Sequence, residues 1–301
     1  MATTALKISQ KIKLSKIIIH VILLLTALCC IFPFILIVMV SFTSELSILT
    51  HGYKFIPQEF SIDAYKLIFS NPEQILNSYK TTIIITTIGT IINVLITSMF
   101  AYAIVRKEMF GRRVLSFFVV VSGMFSGGLV ATYIVMTQYY HLQNTYAVMI
   151  LPHIGNMWYI FLFRAFFGDM TYSLTESAII DGANDVTIYL KIILPVSKPI
   201  VATVALFSAL DLWNEWYQAM LYITKDSMIP LQFLLQRVLR LVQFITANMD
   251  RIPSSLIGSM SMPQESLKMA MVVVAAGPML IVFPFFQKYF VRGIVLGSAK
   301  E

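Results

Sequence analysis

The sequence predicts an all-α polytopic membrane protein with six transmembrane helices, and two observations carry that prediction. Of its 301 residues 58% are hydrophobic and only 12% are charged, whereas an ordinary soluble domain has about 25% charged residues. Apolar stretches long enough to cross a bilayer also recur along the chain, since about 20 such residues span the hydrocarbon core. A soluble globular fold is therefore excluded.

Six stretches carry few or no ionisable side chains and are the predicted spans. In chain order they are residues 17–44, 81–105, two spans within 114–163 joined near 139–146, residues 199–224 with Asp211 and Glu215 inside them, and residues 269–287. The predicted six-span domain covers residues 17–293, between a basic N-terminal segment, 1–16, and a C-terminal tail, 294–301.

Two segments need a separate decision before the spans are counted. Lysines precede the first stretch, as in a signal peptide, but its uncharged run is longer than the roughly 7–15 residues of such a core. We therefore expect an uncleaved span. Residues 230–247 repeat polar side chains at helical spacing beside an apolar stripe, namely Gln232, Gln236, Arg240 and Gln243. This pattern predicts an amphipathic helix at the membrane surface, within an extracytoplasmic segment, 225–268.

The distribution of basic residues predicts the orientation. Six spans place both termini on one side, and with that side in the cytoplasm the inner segments hold 14 of the 22 Lys and Arg residues. The positive-inside rule favours this arrangement. Most of the formal net charge of +7 therefore reflects membrane topology, and we expect a multi-pass protein with cytoplasmic termini and no nucleic-acid partner.

Residues that carry catalysis or bind metals are not evident in this sequence. It contains no GxxxxGK[ST] phosphate loop, no HExxH and no CxxC pair, the patterns that would indicate nucleotide or metal chemistry. Cys29 and Cys30 are adjacent within an apolar run, and the four histidines are scattered. We expect no cofactor, metal or catalytic residue on this chain, so uphill transport would draw on an ion gradient or on a partner that hydrolyses ATP.

Residues 173–195, SLTESAIIDGANDVTIYLKIILP, form a polar stretch between two predicted spans. Ser173 and Glu176 match a capping box, which predicts a helix start, and Gly182 predicts its end because glycine tolerates a left-handed backbone. Asn184 is a suitable N-cap for a second helix that ends before Pro195. Two capped helices within the loop 168–198 predict a docking surface, since a plain connection needs only a few residues.

This stretch resembles the EAA motif of bacterial ABC importer permeases. The D-G-A core is present as Asp181-Gly182-Ala183, and Ser177 stands where the motif usually has alanine. In that family the motif forms a coupling helix that sits in a cleft of the ATP-binding subunit. The resemblance therefore implies contact with an ATPase subunit for nine residues: Glu176, Ser177, Ala178, Asp181, Gly182, Ala183, Ile192, Leu194 and Pro195.

Shorter pieces are similar to the carbohydrate-uptake, maltose-permease-like branch of these permeases. They are residues 76–78, 101–103 and 213–216, while residues 124–129 and 287–293 are similar to permeases of the lipoprotein/polygalacturonan oligosaccharide type. The resemblance implies a type I ABC importer permease fold in a bacterial cell membrane, without catalytic activity of its own. It implies as partners a homologous second permease subunit, two ATP-binding subunits that hold ATP and Mg, and an extracytoplasmic solute-binding protein. The implied function is oligosaccharide import by alternating access.

Ionisable residues within the fifth stretch suggest where a solute would pass. Asp211 and Glu215 are four residues apart and are expected on one helix face, with Asp211 roughly 18 Å into the span. Charged groups at that depth usually face a cavity or a partner, and neighbouring aromatic rings suit pyranose sugars. The candidate pathway residues are Asp211, Trp213, Asn214, Glu215, Trp216, Tyr217 and Gln218.

Several alternatives stay open at this stage. The candidate pathway residues could equally form a hydrogen-bond cluster between subunits, with the sugar held by the sister permease. A gradient-driven secondary transporter would use Asp211 and Glu215 as ion sites, although no internal repeat of the kind common in such carriers is evident. An ABC permease for a non-sugar solute is a further alternative, and the sequence does not distinguish neutral from acidic sugars.

Overall fold

The computed structural model describes residues 14–248 and 264–297. Most of the predicted N-terminal segment, the end of the C-terminal tail and the centre of the segment 225–268 lie outside the described residues. The described chain is helical, with an isolated bridge between Thr43 and Phe60. Its α-helices are α1 (Leu14–Ser41), α2 (Glu45–His51), α3 (Asp63–Ile68), α4 (Pro72–Val105), α5 (Arg112–Met124), α6 (Gly128–Ile134), α7 (Tyr146–Ile150), α8 (Met157–Ile180), α9 (Asp185–Ile188), α10 (Leu194–Val196), α11 (Lys198–Trp213), α12 (Tyr217–Tyr222), α13 (Leu231–Ala247) and α14 (Glu265–Gly297).

The described helices provide three to six membrane-crossing elements by length and composition, a range that includes the six predicted, although one bent pair contains residues 185–196 of the predicted polar loop. Three helical stretches are long and apolar enough to cross a membrane singly: Lys16–Ser41, Pro72–Val105 and Glu265–Phe285. Three bent helix pairs bring the number to six if each pair is one span. The pairs are Arg112–Met124 with Gly128–Tyr139, bent by 110°, Tyr146–His153 with Met157–Gly168, bent by 49°, and Asp185–Val196 with Lys198–Trp213, bent by 82°. The predicted all-α polytopic fold is confirmed.

Two boundaries differ from the predicted ones for identifiable reasons. Helix α4 begins at Pro72 rather than at residue 81, because its first turns contain Glu73 and Lys80, which a charge-free criterion excludes. The third span is bent sharply after Met124, and Gly128 beyond the break has a φ of +81°. Glycine adopts this conformation at no steric cost, so the adjacent glycines of this stretch were the available signal for the bend.

Contacts divide the described chain into two compact units, residues 14–67 with 264–273 and residues 68–248 with 274–297. In the first unit the Glu45 carboxylate accepts hydrogen bonds from the backbone N–H groups of Glu265 and Ser266, at 2.9–3.1 Å. It thereby caps the N-terminus of α14, where a negative charge is favourable. The Tyr53 hydroxyl donates to Glu265 at 2.7 Å, and this hydrogen bond raises the pKa of Tyr53 to about 12.

The second unit is centred on α4, which packs along α11 and α8. The closest approach is at Gly89, where an added Cβ would lie only 2.6 Å from Leu212 Cδ1. One turn further, the buried Asn93 donates through Nδ2 to Ser208 Oγ at 2.9 Å and accepts the N–H of Gly155 at 3.3 Å. Asn93 therefore ties the second span to the fifth and also satisfies a backbone group in the break between α7 and α8.

Candidate functional site

Residues 176–196, here called the EAA-like segment, are shaped differently from the prediction at their start and as predicted at their centre. Helix α8 runs without interruption from Met157 to Ile180, so no helix begins at Ser173 and the prediction of two short helices was wrong. Residues 173–176, which have the spacing of a capping box, lie within α8, and the helix continues on both sides of them. The part of the segment before the Gly182 turn, its first arm, is therefore the end of a long membrane helix, and the part after the turn is its second arm.

The glycine turn and the second helix are confirmed. Gly182 has a φ of +79°, and the N–H groups of Gly182 and Ala183 bond to the carbonyls of Ile179 and Ala178 at 2.9 Å, the pattern of a Schellman C-cap. Asn184 Oδ1 then accepts the Thr187 N–H at 2.8 Å and caps α9. The helical path continues as a π-helical turn, Tyr189–Ile193, and ends at Val196 rather than before Pro195.

Three contacts attach the second arm of the EAA-like segment to the end of α4. Arg106 Nη2 lies 3.0 Å from Asp185 Oδ1. The same guanidinium also lies, through Nε, 3.4 Å from Glu108, which is outside the segment. The Tyr189 hydroxyl is 2.7 Å from Ser98 Oγ, and its ring lies 5.5 Å from that of Tyr102. The Arg106 side chain is only 13% exposed, so the second span and the segment are joined by a partly desolvated ion pair as well as by packing.

Burial separates the nine residues that the motif resemblance singled out. Ala178 is buried, Ala183, Ile192 and Leu194 are half-buried, and Glu176, Ser177, Asp181, Gly182 and Pro195 are exposed. Beside the turn, Ile180 is 80% exposed and Val186 is 65% exposed. Sequence reasoning missed these two aliphatic residues, although both flank the glycine turn. The exposed face of the turn is thus a small apolar surface edged by carboxylates.

Asp211 and Glu215 do not lie on one helix face, so that prediction was wrong. Helix α11 ends at Trp213, and residues 214–216 form a non-helical break before α12 begins. Asp211 is exposed and accepts a hydrogen bond from the Tyr159 hydroxyl of α8 at 2.5 Å. Glu215, in the break, is buried. A span read as continuous by its hydrophobicity therefore contains a helix end, because Asn214 and Glu215 offer side-chain partners to the freed backbone.

Glu215 holds this break together. Its Oε1 accepts the Gln218 N–H at 2.6 Å, which caps α12, and its Oε2 lies 2.6 Å from His153 Nε2. His153 belongs to the 3₁₀ turn that ends the first part of the fourth span. The breaks in the fourth and fifth spans are thus joined through one buried carboxylate. Sequence reasoning missed the role of His153, because spacing along the chain gives no sign of this pairing.

The remaining candidate pathway residues divide between packing and exposed positions. Trp213 is buried and donates its indole N–H to the Ala275 carbonyl at 3.0 Å. Asn214 accepts from Gln232 of α13 at 3.2 Å, while the Trp216 and Tyr217 rings meet edge to face at 5.8 Å. The guanidinium of Arg240 lies 6.0 Å from the Trp216 ring centre. The polar stripe of α13, the helix that the amphipathic pattern predicted, therefore lies next to the break.

Up to six membrane-crossing helices, with an exposed turn in the connection between two of them, place the chain among polytopic membrane proteins. No family model matches the chain. Among curated proteins, the polygalacturonan/rhamnogalacturonan transport system permease protein YtcP of Bacillus subtilis (strain 168) is 37% identical over 291 residues, covering 97% of this chain and 100% of the relative. Protein LplC of the same organism is 36% identical over 270 residues, covering 90% and 89% of the two chains.

A more distant relative and a solved structure are, like YtcP and LplC, similar to this chain over almost its whole length. The trehalose/maltose transport system permease protein MalG of Thermococcus litoralis is 28% identical and covers 92% of this chain and 94% of its own. The crystal structure of a bacterial ABC transporter involved in the import of the acidic polysaccharide alginate contains a chain with a TM-score of 0.77 and 27% identity, covering 96% of this chain and all of that one. The chain belongs to the permease subunits of carbohydrate ABC importers.

Proposed function

We propose that this subunit forms half of the translocation pathway of a binding-protein-dependent importer, and that its EAA-like segment docks on an ATP-binding subunit. The observation that carries the proposal is the geometry of the segment. A glycine-dependent turn presents Ile180 and Val186 to solvent, while Arg106 and Tyr189 fix the segment to the second span. An exposed apolar surface edged by polar groups is typical of a protein–protein contact, and its attachment would pass movement of the partner into the membrane helices.

The proposed assembly contains this chain, a homologous second permease, two ATP-binding subunits and an extracytoplasmic solute-binding protein. ATP and Mg would be bound on the ATP-binding subunits, so this chain has no catalytic step of its own. Closure of those subunits would move the EAA-like segment and convert an inward-open pathway into an outward-open one. Both termini would be cytoplasmic, as the distribution of basic residues favours.

The proposed cargo is an oligosaccharide that carries carboxylate groups. Two of the relatives support this choice by name, since one belongs to a polygalacturonan/rhamnogalacturonan transport system and the other to an importer of the acidic polysaccharide alginate. Within this chain, Arg240 beside the Trp216 ring, which itself meets the Tyr217 ring, would offer a cation next to aromatic faces. Such an arrangement suits a uronate ring, because guanidinium pairs well with carboxylate and aromatic faces suit pyranose rings.

Replacing Gly182 tests the docking proposal at the backbone. A Cβ at Gly182 would meet nothing within 4 Å, so the effect of a side chain comes only from its positive φ, which costs roughly 1–2 kcal/mol for most residues. Gly182→Val should reduce both substrate-stimulated ATP hydrolysis by the reconstituted transporter and co-purification of the ATP-binding subunit. Gly182→Asn is the matched control, because asparagine tolerates this conformation, and it should retain both properties.

The comparison is interpretable only if the variants fold. Both proteins should reach the membrane in equal amounts and elute alike in gel filtration. If Gly182→Val then retains full coupling and full association with the ATP-binding subunit, the EAA-like segment is not the docking element.

A further inference from the structure

A cavity of about 440 Å³ lies in the second unit where α4 ends, α5 begins and α8 passes alongside. It is lined by residues from the C-terminal end of α4 and the connection after it, from the start of α5 and from α8. The candidate span in α4 ends at Val105, and the candidate span that contains α5 begins at Arg112. The cavity is therefore at the level where hydrocarbon gives way to the polar headgroup region of a bilayer.

The lining of this cavity has an excess of positive charge. Among the described residues of the lining, four are cationic, Arg106, Lys107, Arg112 and Arg164, and two are carboxylates. Arg106 is engaged by Asp185 and Glu108. Among the residues that the structure describes, neither Arg112 nor Arg164 has a carboxylate partner. Two guanidinium groups that share a cavity, neither paired with a carboxylate of the described residues, provide a site for an anion, and guanidinium is well suited to phosphate.

Two further features narrow the kind of anion. Aliphatic side chains from both walls line the same cavity, among them Ile104, Val105 and Ile179, so it offers an apolar surface next to the cations. Helix α5 begins at Arg112, and no side chain caps its N-terminus, where the helix dipole favours negative charge. A ligand that suits both properties carries a phosphate group and an apolar chain.

We propose that this cavity binds the headgroup of an anionic phospholipid, with its phosphate at Arg112 and Arg164 and its glycerol and first methylene groups along the aliphatic wall. Basic pockets between membrane helices are known to recognise acidic lipid headgroups in this way. The lining also includes Glu176 and Ile180 of the EAA-like segment. A bound lipid would therefore contact the same segment that we propose to dock on the ATP-binding subunit.

The binding of lipid is tested directly on the full-length chain, purified with its co-purifying subunits and stripped of lipid by detergent exchange. Phosphatidylglycerol retention is measured by native mass spectrometry, with phosphatidylcholine as the neutral comparison lipid and inorganic phosphate as competitor. The double variant Arg112→Gln/Arg164→Gln should bind phosphatidylglycerol at least about tenfold more weakly, since each surface cation contributes about 1 kcal/mol to such binding. The matched control is Arg113→Gln, which removes an exposed charge next to the cavity but not from its lining.

The results distinguish lipid binding at this cavity from a general effect of charge, from a lipid site elsewhere and from a free phosphate site. Equal weakening by Arg113→Gln would mean that only overall charge matters, and unchanged binding in the double variant would place the lipid elsewhere. Displacement of the lipid by millimolar inorganic phosphate would identify a free phosphate site instead. Each of these outcomes overturns the proposal.

If the double variant does not fold, Arg112→Lys/Arg164→Lys is used in its place, because it retains both charges. If the native protein and this variant each retain phosphatidylglycerol no better than phosphatidylcholine, the proposal is likewise overturned. None of these measurements depends on ATPase coupling, which the Gly182 variants test separately.

Discussion

At the scale of single residues, Glu215 has the most constrained surroundings in the broken fifth span. Its carboxylate is buried and contacts both the Gln218 N–H and His153 Nε2 at 2.6 Å. Leaving a buried polar partner unsatisfied costs about 1–3 kcal/mol. We expect Glu215→Ala to lower the thermal stability of the purified transporter clearly, and Glu215→Gln to lower it less, because the amide oxygen still accepts from Gln218.

Thermal stability is read from gel filtration of heated samples with fluorescence detection. Glu73→Ala serves as the control, since Glu73 is exposed, makes no such pair of contacts within the described residues and belongs to neither proposed site. Equal stability of Glu215→Ala and the native protein would show that this carboxylate does not hold the two breaks together.

Arg240 is the residue whose replacement reports on the proposed cargo. Its neighbour on the same helix, Arg237, is paired with Asp226 at 2.8 Å, whereas Arg240 has no carboxylate partner among the described residues. A hydrogen bond to a charged group contributes about 1.5–3 kcal/mol, so Arg240→Ala should reduce uptake of an oligogalacturonate by roughly tenfold or more. Uptake of its methyl ester should be almost unchanged, because the ester has no negative charge.

Uptake is measured in proteoliposomes that contain the complete transporter and its solute-binding protein. Arg237→Ala, which removes an equal charge from the same helix, should leave the ratio of acid to ester uptake unaltered. An equal loss of both substrates in Arg240→Ala would remove Arg240 from the recognition of carboxylates.

At the scale of elements, the parts that followed from sequence are those set by local chemistry. Gly182 and Asn184 specified the turn and the second N-cap, because each acts through its own backbone or through a bond three residues away. The apolar runs likewise specified which stretches cross the membrane. The helix start at Ser173 was predicted wrongly because capping residues indicate only that a helix can begin there, and not that the preceding residues have left a helical conformation.

The broken spans show why the remainder was out of reach of the sequence. Nothing in the spacing of His153 and Glu215, or of Asn93 and Ser208, indicates that these residues meet. The attachment of the EAA-like segment through Arg106 and Asp185 is likewise a contact between distant parts of the chain. Such contacts depend on how helices pack, which a single sequence read for periodicity does not reveal.

At the scale of the whole molecule, the spans are incompletely buried. Even in α4, the central helix of the second unit, only 33% of the most apolar window is buried within the described residues. A helix that is apolar all round is usually surrounded by lipid or by other helices. This exposure is in keeping with the proposal that the chain works beside a second permease subunit.

The energy source of transport distinguishes the proposed ATP-driven importer from its principal alternative, a gradient-driven secondary transporter. The chain carries no phosphate-binding loop in its sequence, so a chain that works as proposed takes its energy from ATP hydrolysed by a partner. A gradient-driven carrier would instead depend on ionisable groups such as Asp211 and Glu215. In cells, depletion of ATP by arsenate should abolish uptake, while a protonophore applied at maintained ATP should leave initial uptake rates little changed. The reverse pattern, with uptake that survives arsenate and collapses with the protonophore, would assign the energy to an ion gradient.

The surroundings of Glu215 favour dependence on ATP. This carboxylate is buried and contacts His153 and the Gln218 N–H. A carboxylate already engaged in two bonds is poorly placed to exchange ions with the pathway.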